Sequence, residues 1–354
     1  IFITGGTFDK EYNELTGELY FKSSHMYELL ELGRCRLDVD IGTLMMVDSM
    51  EMSKTERNYI IQKCIEEPVQ QIVITHGTDT MVQTAKALAE KNCHVILSCR
   101  TPEKSIATKN KLQNLIPQAQ LSTIEIEMSD FNKVSSKCDQ ISNEYESLDL
   151  LINNAGIMHP PKTLNSQGYE IQFAVNHLSH MLLTLKLIPL LEKIKNSRIV
   201  TVTSLAQFFG KVGWKNLKAE NYYNKQESYA NSKLANIMFA LELNEKLKGK
   251  NILSLAAHPG IAKTNLFNAQ RPSPSRIEKL SLDLFSPIFQ SAEMGALPQL
   301  YAATSNSVKS GDHYGPKFNF RGHPKLSKTS PAALNTIERK SLWNKSLEII
   351  KEFI

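Results

Sequence analysis

The sequence predicts an α/β protein built on a doubly wound parallel sheet. Three observations carry that expectation. From residue 71 onward, short apolar runs alternate with helix-patterned stretches of ten or more residues, which is the signature of βαβ units. The apolar runs are nearly continuous, as in 199–204 (IVTVTS), and a strand covered on both faces needs such a run. The chain has 354 residues, of which 42% are hydrophobic and 22% charged, enough apolar material for one large domain or two small ones.

In chain order, residues 1–4 read as a short strand running into the turn Gly5-Gly6-Thr7. Residues 37–47 alternate and then run apolar, as a strand pair or a bent strand would. Ser53 opens a helix, with Glu56 three residues on forming a capping box, and Pro68 closes it. Gln71–Thr75 (QIVIT) is a buried strand, 76–80 a turn and 81–91 a helix. Strands are then expected at 94–99, 123–128, 148–153, 198–204 and 252–257. Helices are expected near 107–115, 134–145, 169–191 and 229–247. Residues 268–290 and 305–330, rich in Pro, Ser and Gly, read as loops.

Composition excludes several classes. Ordinary apolar content rules out wholesale disorder. No apolar run approaches the roughly 20 residues of a membrane helix; the longest candidate, 181–191, is broken by Lys186 and Pro189, so no integral membrane segment is expected. Cys35, Cys64, Cys93, Cys99 and Cys138 show no metal-type spacing and are odd in number, pointing to a reducing, cytoplasmic setting with no metal site. Residues 1–86 hold 8 Lys/Arg against 14 Asp/Glu, net −6, and the remainder holds 33 against 22, net +11. That shift suggests segments of different histories. The basic residues are scattered without aromatic interleaving, so a nucleic-acid partner is not expected.

Four features of the basic region fit one chemistry. Tyr229-Ala230-Asn231-Ser232-Lys233 sets a phenol and an ammonium one helical turn apart, and a nearby cation favours the phenolate. Ser204 ends a buried strand at the carboxyl edge, where ligands of α/β sheets bind. Asn153-Asn154-Ala155-Gly156 follows another apolar strand, and small residues there let the backbone approach a ligand. Asn176 stands mid-helix, where a poor helix former needs a reason.

Together these residues resemble the short-chain dehydrogenase/reductase family over about 82–354. The segments HVILSCR, VNHLSH, His258-Pro259-Gly260 and Tyr314-Gly315-Pro316 are similar to the branch holding retinol dehydrogenases and WW-domain oxidoreductases. The resemblance implies a Rossmann-like sheet and hydride exchange with a nicotinamide. Tyr229 would be the proton donor, Ser204 a hydrogen-bond donor to the carbonyl, and Lys233 a ribose ligand that depresses the phenol. Asn176 would shape a proton relay and Asp130 would contact the adenine. Asn153, Ala155, Gly156, Pro259, Gly260 and Thr264 would also serve the cofactor. Arg100, where an acidic residue would repel a 2′-phosphate, points to NADP(H). The implied partner is a small lipophilic carbonyl or alcohol compound, with homo-oligomerisation left open.

One element departs from that family. Counting back from Thr84-Ala85-Lys86, the Gly-rich turn TGxxxGxG should occupy 74–81, but Asp79 and Met81 replace its two closely spaced glycines. A side chain at either place is expected to keep the backbone from a pyrophosphate.

Those residues resemble a second family. Thr4-Gly5-Gly6-Thr7 and Thr75-His76-Gly77-Thr78-Asp79-Thr80-Met81 are similar to the two motifs of bacterial-type L-asparaginases over about 1–86. The resemblance implies Thr7 as nucleophile toward an amide, Thr78 as the second threonine, and Asp79 and Ser49 as substrate contacts. No lysine can be matched to the one that family requires, so amidohydrolase activity is not expected. The chain therefore reads as a chimera. A partial asparaginase-type segment (1–86) precedes a reductase domain (70–354), and a strand–turn–helix at 71–91 is common to both. Each lacks a catalytic piece, which leaves a catalytically impaired hybrid as a further reading.

Overall fold

Strands that are apolar at nearly every position must be covered on both faces, and the arrangement of the elements meets that demand. The structure is a computed structural model, and it describes residues 79–211, 214, 216–261 and 290–354. Of 2–3, 10–12, 19–21, 42–43 and 71–75 it describes the backbone, as it does for 79–81 and 102.

The chain divides into two units, Ile1–Pro68 and Val69–Ile354. The first contains β1 (Phe2–Ile3), β2 (Lys10–Tyr12), β3 (Leu19–Phe21) and β4 (Gly42–Thr43). β1 pairs with β4 in parallel and β2 with β3 antiparallel. The helix expected from Ser53 lies outside the described residues.

The second unit runs β5 (Gln71–Thr75), α1 (Asp79–Ala89), β6 (His94–Cys99), α2 (Pro102–Leu115), β7 (Leu121–Glu125), α3 (Phe131–Glu144) and β8 (Leu150–Asn153). It continues through α4 (Ile171–Leu191), β9 (Ser197–Val202), α5 (Lys225–Lys246), β10 (Ile252–Ala257), α6 (Ala292–Thr304), β11 (His313–Pro316) and β12 (Pro324–Leu326). Two helices, α7 (Pro331–Leu334) and α8 (Thr336–Ile350), follow. The sheet order is β12-β11-β10-β9-β8-β5-β6-β7, with every neighbour pair parallel except the edge pair β11 and β12. The order reverses between β5 and β8, and in doubly wound sheets the ligand crevice opens beyond the strand ends at such a reversal.

Strand alternation sorts the core into two layers. Leu150, Ile152, Val200 and Val202 pack toward α1, α2 and α6, whereas Leu151 and Ile199 pack toward α3, α4 and α5. Each fully buried Leu or Ile contributes about 1.5–3 kcal/mol.

Several boundaries differ from expectation. α5 begins at Lys225 because the Asn224 side chain accepts the backbone N–H groups of Gln226 and Glu227. α2 begins at Pro102, a residue suited to a first helical turn. The stretch 305–330, expected as loop, contains β11 and β12. Residues 262–289, which take in most of the other expected loop, lie outside the described residues. One helix among the described residues, α4, is long and apolar enough to cross a membrane. It exceeds the run expected at 181–191 because it starts ten residues earlier, and 78% of its apolar window is buried inside the fold.

Candidate active site

α5 carries Tyr229 and Lys233 on the side that meets the end of β9. Both are buried, at 9% and 5% exposure. The Lys233 ammonium lies 5.9 Å from the centre of the Tyr229 ring, and its Nζ donates to Val202 O at 3.3 Å. Burial drives the two groups in opposite directions. It pushes the phenol up to about 12, against a hydrogen bond from Ser204 that pulls it down, and it lowers the Lys233 ammonium to about 8. Ser204 leaves β9 and caps a 3-10 turn at Leu205–Phe209, its Oγ accepting from the Ala206 N–H at 3.2 Å.

α4 contributes Asn176 through a local change of helix. Residues Ala174–Leu178 form a π-helical turn in which the Ser179 N–H reaches back to Ala174 O. Such bulges recur at functional sites, and this one gives the mid-helix asparagine its reason. Asn176 Oδ1 accepts the Ile157 N–H at 2.8 Å. Its Nδ2 donates to Ile157 O at 3.0 Å and to Ser232 Oγ at 2.9 Å. Its backbone oxygen accepts from His180 Nδ1 at 2.9 Å, which fixes that buried imidazole as a neutral donor.

The loop after β8 closes the cluster. A Cβ built on Gly156 would stand 3.4 Å from both Asn176 Oδ1 and Lys233 Nζ, so Gly156 leaves the room into which these two side chains point. Asn153, fully buried, donates to Thr184 Oγ1 at 2.8 Å, while its Oδ1 finds no partner among the described residues.

The sheet edge next to this cluster holds a cavity of about 510 Å³. Arg100 and Lys104 line it from after β6, Glu127 and Ser129 from after β7, and Ala155 and Gly156 from after β8. A basic pair and a small-residue wall fit a dinucleotide. Asp130, expected at the adenine, is not among the residues that line this cavity. Its carboxylate caps α3 by accepting from Asn132 N at 3.0 Å and Lys133 N at 3.4 Å. Glu127 lines the cavity, its Oε1 accepting from Ser129 N at 3.1 Å and Ser129 Oγ at 2.8 Å.

Ser204, Tyr229, Lys233, Asn176 and Gly156 are thus brought together, and Arg100, Ala155 and Gly156 share the adjoining cavity. Pro259 and Gly260 follow β10, where Gly260 has φ +66° and a Cβ would meet Phe320 O at 2.5 Å. Thr264, Thr7, Ser49 and Thr78 lie outside the described residues, and Asp79 is described by backbone alone, as the first residue of α1.

Sequence reasoning missed the supports. Thr203 Oγ1 donates to Lys233 O at 2.7 Å and Asn236 Nδ2 to Val202 O at 3.0 Å, tying α5 to β9. His159 packs its ring edge-on against Tyr229, with centroids 5.4 Å apart. A hydrophilic residue on the buried side of α5, such as Asn236, was the available signal.

Comparison with known proteins agrees with this geometry. A family model described as short chain dehydrogenase matches residues 70–275, and one described as asparaginase, N-terminal, matches 1–137. Retinol dehydrogenase 12 of Bos taurus is 31% identical over 283 residues, covering 79% of this chain and 86% of that protein. Retinol dehydrogenase 14 of Mus musculus is 34% identical over 275 residues, covering 74% and 79%. A crystal structure of an uncharacterized protein from Mycobacterium Paratuberculosis superposes with a TM-score of 0.67 at 29% identity, covering 81% of this chain and 97% of that one. The RhlG/NADP complex of Pseudomonas aeruginosa shares the fold at a TM-score of 0.56 and 18% identity, covering 71% and 96%. Behind an N-terminal segment of the asparaginase type, the chain belongs to the short-chain dehydrogenase family.

Proposed function

We propose that the chain is an NADP(H)-dependent oxidoreductase that interconverts the carbonyl and alcohol of a lipophilic small molecule, with Tyr229 as general acid and base. The convergence of Ser204, Tyr229 and Lys233 beside Gly156 carries this reading. Arg100 at the cavity supports a 2′-phosphate ligand, and the NADP of the RhlG complex is consistent with it. The retinol dehydrogenases among the relatives support a lipophilic substrate. Free buried thiols at Cys93, Cys99 and Cys138 suit a cytoplasmic setting.

Arg100, Asn153, Ala155, Gly156, Lys233, Pro259, Gly260 and Thr264 are the residues that would hold the cofactor. When bound, the nicotinamide supplies the hydride. The Ser204 hydroxyl orients the substrate oxygen. Tyr229 gives its phenolic proton to that oxygen in reduction and takes it back in oxidation. The Lys233 ammonium, held against Val202 O, stabilises the phenolate that results.

The test is a titration of the chain with NADPH, followed by reduced-nicotinamide fluorescence. Micromolar binding that weakens at least tenfold in Arg100→Ala is expected. Tyr229→Phe should bind equally well yet lose about 10²–10⁴-fold in turnover, and unchanged turnover would sink the assignment. A second reading, an impaired hybrid, is favoured by Asp79 and Met81 in the place of two glycines. It expects no binding until 74–81 is replaced by a TGxxxGxG turn. Thr7-dependent ammonia release from asparagine would instead revive the amidohydrolase reading.

A further inference from the structure

We propose that a second cavity beside Tyr229, lined by His159, Lys162 and Lys225, receives an acidic tail of the substrate. The preferred compounds are then carbonyls or alcohols bearing a carboxylate, rather than neutral ones. The inference rests on the oxidoreductase reading above and narrows its substrate class.

The cavity measures about 550 Å³, and its walls include Pro160, Tyr223 and Asn224 as well as the three basic residues. One ring separates it from the phenol, because His159 is both a wall of the cavity and the ring packed on Tyr229. Pro160 lines this cavity and also the one that holds Arg100, so a single loop separates the two spaces.

That loop is built to hold its shape. His159 has φ +56°, a left-handed conformation that costs energy for a side-chain-bearing residue. The conformation is fixed from two sides. The His159 N–H donates to Gln172 Oε1 at 2.8 Å, and Tyr223 OH donates to Pro160 O at 2.7 Å. Gln172 is itself fully buried and donates to Lys225 O at 3.0 Å and to Tyr223 OH at 3.3 Å. Strain held in place by a buried network next to the reacting group is what a preorganised binding wall requires.

The electrostatics of the wall favour an anion. Among the described residues no carboxylate lines the cavity. Burial and the charge of Lys225 together lower the His159 imidazole, so the Lys225 ammonium acts across the cavity on the ring that touches the phenol. The neutral imidazole remains able to donate a hydrogen bond. Asn224 and Lys225 also begin the 22-residue α5, whose N-terminal dipole is positive toward this space. Two acids close in sequence to its walls and supports, Glu170 and Glu227, are engaged elsewhere. Glu170 accepts the backbone N–H groups of Gln172 and Phe173. Glu227 lines a different cavity, where it binds Lys211 Nζ at 3.2 Å and Tyr222 OH at 2.5 Å.

The test uses the full chain with NADPH and a homologous series of ω-oxo carboxylates, each paired with its methyl ester. We expect an optimum chain length at which the acid exceeds its ester about tenfold in kcat/KM, through KM. That advantage should shrink as salt is raised. In the double variant Lys162→Gln/Lys225→Gln the acid-to-ester ratio should fall toward one. Equal use of acid and ester, or a preference that survives in the double variant, overturns the proposal while leaving the oxidoreductase reading intact. Calorimetric titration with the acid and the ester reads the subsite without turnover. Tighter binding of the acid that disappears in the double variant supports the subsite even if no carbonyl is reduced. Equal binding of the two overturns it.

Discussion

Tyr229 and Lys233 are displaced in opposite directions because each prefers its neutral form once water is removed. For the lysine this has a consequence for stability. Its ammonium falls from the usual 10.5 to about 8, so the native state releases a proton that the unfolded chain still holds between those values. Stability from this group therefore rises as pH climbs from about 8 toward 10.5, and burying the cation costs stability at neutral pH. Lys233→Met is expected to raise the melting temperature at pH 7 and to flatten that alkaline rise. Turnover in the same variant should fall at least a hundredfold. Thermal melts at pH 7 and pH 10 check the first pair of outcomes. The motif residues Ser204, Tyr229 and Lys233 were legible because their spacing on a strand end and one helix face is local. The cap that Asp130 makes on α3 was not, because it depends on whether the following backbone turns toward its own side chain.

The π-helical turn of α4 holds Asn176 in place, and no periodicity argument from sequence specifies it. Three side-chain hydrogen bonds join Asn176 to Ile157 and Ser232 across two other elements, so the asparagine is as much a tether as a relay. Asn176→Ala leaves the Ile157 backbone groups and Ser232 without their partner. It should cost about 1–3 kcal/mol, read as a lower urea midpoint at constant m-value. The start of α5 shows the opposite situation. The Asn224 and Glu227 pair is a cap signal present in the sequence, but the apolar pattern begins later and drew the expected start to Tyr229. β7, from Leu121 to Glu125, starts two residues and ends three before the expected strand at 123–128, for a similar reason. Its register is set by pairing with β6, Val95 opposite Leu121, and that pairing is not local.

Over the whole molecule, buried imidazoles govern the response to acid. His177, His180, His258 and His313 are almost wholly enclosed, and burial lowers them to about 3, 4, 4 and 3. Each is neutral in the native state yet takes up a proton near 6.5 once unfolded. Their stabilising contribution is full above that value and is lost as pH falls below it, at about 1.4 kcal/mol per pH unit for each histidine. The midpoint of urea unfolding should therefore drop steeply between pH 6.5 and 4. His177→Phe should make that drop shallower, since His177 already packs against Phe173 and Phe239. The doubly wound sheet itself was legible from the alternation of apolar runs and helices. The charge shift was counted at residue 86, net −6 against net +11, whereas the two units divide at Pro68. The extent of the overlap was not legible: residues 70–137 match both family models.

β5 lies within that overlap, and it is held in the sheet by main-chain hydrogen bonds. Gln71 through Thr75 pair with His94 through Ser98 on one side, and Ile72 through Thr75 with Leu150 through Asn153 on the other. Ladders of this kind read backbone direction and apolar content, and are indifferent to ancestry. A five-residue apolar strand followed by a helix is therefore an interchangeable part. Crossing from one lineage to another inside it leaves the sheet whole and alters only the chemistry displayed at the strand's far end.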